Sequence, residues 1–316
     1  MDKPSSRSDD IMPLMLFLWI VIAVFFLIRP PVLLFWNYGL GMAESIRPEQ
    51  TAEQDSPPLA KPMQPVPLPT VLAQPWPAAP ARSTALMQLE QEIFDLTVNE
   101  RTQRQKTSLG SDNALADVAA QYSRNMYDGN FFSHTSPDGE GPADRFGKGV
   151  RQAFGLVAEN IALEPVPTKA QAFIEGWMNS PGHRRNILAE GQTHLGVGCA
   201  GQTQSTEPSK TICTQLFLTA FAWLEQSLPE RAKVDQTIPL SLRAEPGQPL
   251  PIRVYQVDLG SGSTKTSVDL NLRNGRAVGD LTVKGPPGIY RTEIGVPDPE
   301  NANRLLLIPG PYIVIE

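Results

Sequence analysis

The chain has 316 residues, a formal net charge of −6, two cysteines and three histidines. That length implies two folded units plus extra segments rather than a single core. The acidic balance, with no basic stripe to meet phosphates, argues against a nucleic-acid partner; two cysteines are too few for a disulfide scaffold but can form one bridge in an oxidising compartment.

Residues 1–10 carry Lys3 and Arg7. An uncharged apolar run of eighteen residues follows, Ile11 to Ile28. At ~1.5 Å per helical residue it nearly crosses a hydrocarbon core of about 30 Å. Pro13 lies in the first turn, where its missing N–H costs little. Val32 to Trp36 and then Tyr38 bring aromatic residues to the headgroup level. Nothing amphipathic is present, which argues against a buried core helix. Basic residues precede the span, and Arg29 alone stands close behind it. Residues 11–36 are therefore expected to anchor the chain in the cell membrane by a single pass. The N-terminus is then cytoplasmic, and the bulk is periplasmic or extracellular. Gly41-Met42-Ala43 has the small residues a signal peptidase reads, but the run is long for a signal peptide and favours a retained anchor.

Residues 43–83 form a proline-rich linker. Prolines from Pro48 to Pro80 forbid helix and central strand. Such a spacer extends ~3.1 Å per residue and reaches on the order of 100 Å. Trp76 either docks on a folded surface or stays solvated.

Leu86, Leu89, Ile93 and Leu96 fall at three- and four-residue steps, so Thr84 to Gln103 reads as an amphipathic helix. Ser111 or Asp112 can cap a second helix, whose inner stripe is Leu115, Val118, Ala119, Tyr122 and Met126. Both stripes read as core. Asp128-Gly129-Asn130 ends that helix, and Phe131-Phe132 anchors a loop with Ser133-His134-Thr135 at its edge. Pro137-Asp138-Gly139 is a turn, and Pro142 to Phe146 suits one short helical piece. Thr168 can cap a third helix bearing Trp177. Ser180-Pro181 restarts a helix, with Ser at the N-cap and Pro at the first position. His183 then sits in the first turn, where the dipole disfavours imidazolium and keeps a ring nitrogen available.

Leu195 to Ala200 and Thr211 to Phe217 read as a hairpin. Cys199 and Cys213 can face each other across it, and closing that loop stabilises by ~3 kcal/mol in the chain-entropy model. Two buried free thiols are the alternative; an outward topology favours the bridge. From residue 228 to 316 the composition changes. Short alternating runs at 252–257, 266–272, 280–283, 286–294, 304–308 and 312–315, separated by Gly and Pro turns, fit a small antiparallel β-sandwich. It contains no cysteine or histidine.

The words Phe132-Ser133-His134-Thr135-Ser136-Pro137-Asp138-Gly139, Glu159-Asn160-Ile161-Ala162, Trp177 to Leu188, Leu195 to Gly198 and Thr214 to Phe217 occur in the order found in the CAP (SCP/pathogenesis-related-1-like) superfamily. The sequence resembles its bacterial branch over about residues 86–221. The resemblance implies an α+β fold: a three-layer α-β-α sandwich over 84–227, here followed by the all-β region and preceded by the transmembrane helix. It also implies a surface cleft lined by His134, Glu159 and His183, with Ser133 and Asn160 beside them. In the animal and plant branches a second glutamate stands three residues after the tryptophan, where this chain has Ser180. Ala158 replaces the usual glycine before Glu-Asn, and Asn99 and Arg101 sit one residue closer than the family spacing.

Two histidines and a glutamate on separate loops could hold Zn²⁺ or another divalent ion with an open fourth position. The competing reading is that His134 and Glu159 hydrogen-bond each other and tie loops together. No Gly-x-Ser-x-Gly word and no third orienting group support a serine hydrolase. His194 reads as a surface residue beside a strand, and Glu175 as solvated. The expected function is a non-catalytic ligand- or metal-binding module of the cell envelope, taking a lipid, peptide or wall polymer. A metal-assisted hydrolase using His134, Glu159 and His183, and a structural envelope protein with a vestigial cleft, are the alternatives.

Overall fold

The computed structural model describes residues 75–202 and 209–316. The expected span at 11–36 and most of the linker lie outside these residues. Among the described residues no helix is long and apolar enough to cross a membrane.

The first helix, α1 (Thr84–Thr102), starts at Ser83, whose hydroxyl accepts the Leu86 N–H and satisfies a first-turn donor. Its expected stripe is buried at Leu86, Leu89 and Ile93. A short strand, β1 (Gly110–Ser111), leads into α2 (Asn113–Asp128), which is capped by Asp112 accepting from Leu115 N. Residues at the linker's end are docked on these helices. Arg82 pairs with Glu90 of α1 and Asp117 of α2. Trp76 lies against Val118 and Gly149, so the docked alternative is the one realised.

After the His134 loop comes α3 (Pro142–Gly149), longer than the short piece expected. The strand β2 (Ala153–Pro165) follows, where the sequence pattern gives no element and Glu159 was expected on a loop. Then come α4 (Ala170–Asn179) and α5 (Pro181–Leu188). The cap of α4 is Lys169 rather than Thr168, and no side chain caps it.

The hairpin forms as β3 (His194–Gly201) and β4 (Lys210–Leu224), antiparallel, with Cys199 directly opposite Cys213. The two form a disulfide, with Cα atoms 4.1 Å apart. The long β4 is the centre of the sheet. It pairs with β2 over its whole length, so β3 and then β6 (Thr237–Ala244) share its other edge. Helices cover both faces here. Leu195, Val197 and Cys199 meet α1, α4 and α5 through Ile93, Phe173, Trp177 and Ile187. On the opposite face Gly196 and Gly198 admit α2 directly: a Cβ on Gly198 would stand 2.0 Å from the Ala120 nitrogen. Only glycine allows backbone to approach that closely.

The C-terminal β region does not stand apart from this sheet. Beyond residue 227 the chain re-enters it through β6, which carries β10 (Arg276–Thr282) and then β9 (Asn271–Arg273) to its edge. A second sheet runs β5 (Arg231–Ala232), β12 (Asn301–Ile315), β11 (Gly288–Asp298), β7 (Arg253–Asp258) and β8 (Thr264–Asp269). The two sheets share one apolar core, in which Phe154 and Phe221 meet Leu242, Val254, Ile294 and Ile313. Alternation in β6 buries Ile238, Leu240 and Leu242; Pro239 inside that run hides the strand from pattern reading.

Candidate functional site

The loop between α2 and α3 is fastened at several points. Phe131 meets Tyr122 edge to face, with ring centroids 6.2 Å apart. The Tyr122 hydroxyl donates to the Ser133 carbonyl. Ser136 and Glu140 bond each other across the turn, backbone to backbone and through the Ser136 hydroxyl. This leaves the His134 side chain 51% exposed, with Nδ1 2.8 Å from Glu159 Oε1.

Glu159 projects from β2 and is buried, 2% exposed at the side chain. Its other oxygen, Oε2, accepts from Arg145 Nη2 of α3 at 2.7 Å. The same guanidinium donates to the carbonyls of His134 (3.1 Å) and Glu140 (2.7 Å), and lies 3.3 Å from the centroid of the Tyr122 ring. Burial pushes the Tyr122 hydroxyl up to about 12, with the Arg145 charge opposing. A carboxylate facing a guanidinium is an acceptor only, so the hydrogen-bond pattern assigns the His134 proton to Nδ1. That choice turns Nε2 outward as an acceptor.

His183 occupies the first turn of α5, as expected. Its ring centroid is 6.5 Å from that of His134, with the planes tilted by 49°. Its pKa is lowered, first by burial and second by His134. The sequence reading had the direction right, but it named the helix dipole as the cause.

A buried amide network sets this spacing. Asn160, next to Glu159, donates to the His183 carbonyl (3.2 Å) and to Gln215 Oε1 (3.0 Å). Asn186 of α5 donates back to the Glu159 carbonyl (3.0 Å) and Asn160 Oδ1 (2.9 Å). Gln215 donates to Thr97 Oγ1 of α1 at 2.6 Å. These bonds lock α5 onto β2, and so fix His183 relative to Glu159.

His134, Glu159, His183 and Asn160 thus meet in one place, although only His134 is on a loop; Glu159 and Asn160 are strand residues. Ser133 is exposed, and its hydroxyl accepts the Thr135 N–H rather than facing an imidazole. His194 lies half-buried against Trp223, with centroids 4.9 Å apart, and Glu175 is exposed. Arg145, Tyr122, Asn186, Gln215 and Thr97 were not singled out as site residues. The available signal was polarity in apolar surroundings: a tyrosine in a Leu/Val/Ala stripe and a glutamine inside a buried strand both need partners.

Among the described residues no three His, Cys, Asp or Glu side chains converge as a metal set. Each Glu159 oxygen already has an N–H partner. With Zn–N bonds of about 2.0–2.1 Å, two imidazoles on one tetrahedral ion place their ring centroids about 5 Å apart. The 6.5 Å observed is wider. Glu159 is therefore placed to orient His134 from behind, as a carboxylate supports a ligating histidine.

Residues 94–217 match the family model described as the Cysteine-rich secretory protein family, CAP. "Uncharacterized membrane protein YlbC" of Bacillus subtilis (strain 168) is 39% identical over 109 residues, 34% of this chain and 31% of that one. "Uncharacterized protein YkwD" of the same organism is 36% identical over 110 residues, 34% of this chain and 41% of that one. The chain therefore spans well under half the length of either relative. A crystal structure of an extracellular protein containing a SCP domain from Bacillus anthracis str. Ames is 36% identical, covers 45% of each chain and has a TM-score of 0.36.

Proposed function

Through residues 94–217 this chain belongs to the CAP superfamily, in its bacterial branch, and from that premise we propose that it is a membrane-anchored, outward-facing binding module of the cell envelope. Its cleft, edged by His134, Glu159 and His183, takes a ligand without turning it over. The observation that carries this reading is the His134–Glu159–Arg145 chain: a half-exposed imidazole held from behind by a buried ion pair. Fixing one side chain in this way lowers the ordering cost of recognition. Both cysteines are consumed by the disulfide. Among the described residues no serine hydroxyl bonds either ring of the His134–His183 pair. The disulfide suits an oxidising compartment, and the apolar run at 11–28 and the membrane relative suit the anchor.

Zn²⁺ or another divalent ion enters this reading as a guest of two imidazoles, His134 and His183, with Glu159 orienting the first. It would supply a positive centre for a ligand oxygen. The orientation of His134 by Glu159 is also what favours the second reading, a metal-assisted hydrolase acting on peptide or wall material.

Titrating the full chain in detergent micelles with Zn²⁺, alone and with a peptide and wall-fragment library, separates the readings. His134→Ala and His183→Ala serve as controls. Binding lost in both variants without turnover supports the module, and turnover lost in both supports the hydrolase. Neither binding nor turnover in the parent protein leaves only the vestigial-cleft reading.

A further inference from the structure

The C-terminal strands reach the helix that supports the cleft. From that contact we infer that Tyr312 is a positioning residue: by seating α3 it sets where Arg145 grips Glu159 and His134. The inference goes beyond the binding reading and does not depend on what occupies the cleft.

The helix α3 is held from two sides. On one, Arg145 bonds Glu159 Oε2 and the carbonyls of His134 and Glu140. On the other, the Tyr312 hydroxyl donates to Asp144 Oδ1 at 3.0 Å. Asp144 and Arg145 are neighbours in sequence, and helical geometry points them to different sides. The Tyr312 ring lies directly on Gly147, where a Cβ would stand 2.4 Å from a ring carbon. Asp144 Oδ2 also accepts the Gly141 N–H at 2.9 Å, so the residue that receives Tyr312 also fixes the start of α3, where the His134 loop ends. Two residues before Tyr312, Gly310 sits against Phe154, so closely that a Cβ would be 2.2 Å from the ring. Phe154 belongs to β2, the strand that carries Glu159. The tail therefore touches both elements whose side chains make the buried ion pair. Hydrogen bonds weaken steeply as geometry is lost, so a small shift of α3 loosens all three Arg145 contacts together.

The test uses the full chain in detergent micelles with isotopically labelled histidine. The chain has three histidines, so the NMR spectrum is simple. Tyr312→Phe removes the hydroxyl and keeps the ring. Gly147→Ala drives a methyl group into the ring's seat. As Arg145 withdraws, Glu159 is no longer held in place and its hydrogen bond to His134 loosens. At one fixed pH the His134 Nδ1–H signal, held by its bond to Glu159, is then expected to be broadened or lost through faster solvent exchange in Gly147→Ala, and to change less in Tyr312→Phe. His194, packed on Trp223, serves as the internal reference and stays put. A role confined to stability would lower the unfolding midpoint and leave His134 unmoved. An unchanged His134 Nδ1–H signal in both variants overturns the proposal. If Gly147→Ala does not fold, Tyr312→Phe decides alone by the same criterion. No ligand is added, so a failure here is separate from a failure of the binding reading.

Discussion

Replacing Arg145 by methionine keeps the aliphatic stem and removes the guanidinium. The side chains of Arg145 and Glu159 are 1% and 2% exposed, so solvent screening gives no discount. Removing one partner of a buried pair costs about 3–5 kcal/mol, because the other charge stays buried and unpaired. The carbonyls of His134 and Glu140 also lose a donor. A loss of about 4 kcal/mol is expected by urea unfolding followed through tryptophan fluorescence. The pH dependence is diagnostic. Without its guanidinium a buried Glu159 favours its protonated form in the folded variant, which then binds a proton the unfolded chain releases. Acid therefore stabilises the variant relative to the parent, and the deficit narrows as pH falls. Adding Glu159→Gln to Arg145→Met should recover about 2 kcal/mol against the sum of the single changes. A deficit under about 1 kcal/mol, the size of an exposed ion pair, or one that does not change with pH, would refute the view that this pair is the cleft's support.

Cys199→Ala with Cys213→Ala opens the cross-strand bridge over a sequence separation of 14 and should cost ~3 kcal/mol, with adding a reductant to the parent giving the same loss. The lowered pKa of His183 means that the unfolded chain binds its proton first. The parent should therefore lose stability as pH falls through about 6.5, and His183→Asn should flatten that part of the profile; equal slopes would remove His183 as the cause. Ser180→Glu, which places a carboxylate at the helix start three residues before His183, should tighten Zn²⁺ binding by at least about tenfold in a calorimetric titration; unchanged affinity would show that a missing carboxylate is not what limits the site.

Much of the fold was legible because local rules and burial agreed. The α1 stripe, the Asp112 cap and the Cys199–Cys213 register each follow from a period or a spacing. The strand β2 was not legible. Ala153 to Pro165 is buried on both faces along much of its length, so it lacks the alternation that marks a strand. Expecting a loop there also misplaced Glu159. The convergence of His134, Glu159 and His183 followed from the resemblance, but their roles did not. Arg145 and the amides of Asn186 and Gln215 act across sequence separations of 14, 26 and 55 residues, and no local pattern reports contacts of that range. The sequence also showed the tail's strands without their partners, since pairing of β6 with β4 is a tertiary choice.

The charge balance of the cleft follows from two of these residues together. Among the described residues Glu159 is the carboxylate that contacts His134. Arg145 cancels that charge at 2.7 Å. His183 faces His134 beside this neutralised pair, and its pKa is lowered first by burial and second by the neighbouring imidazole. The neutralised pair leaves His183 a neutral hydrogen-bonding group. It also explains why Glu159 is buried rather than presented: its work is to hold His134 in one tautomer, and Arg145 makes that burial tolerable.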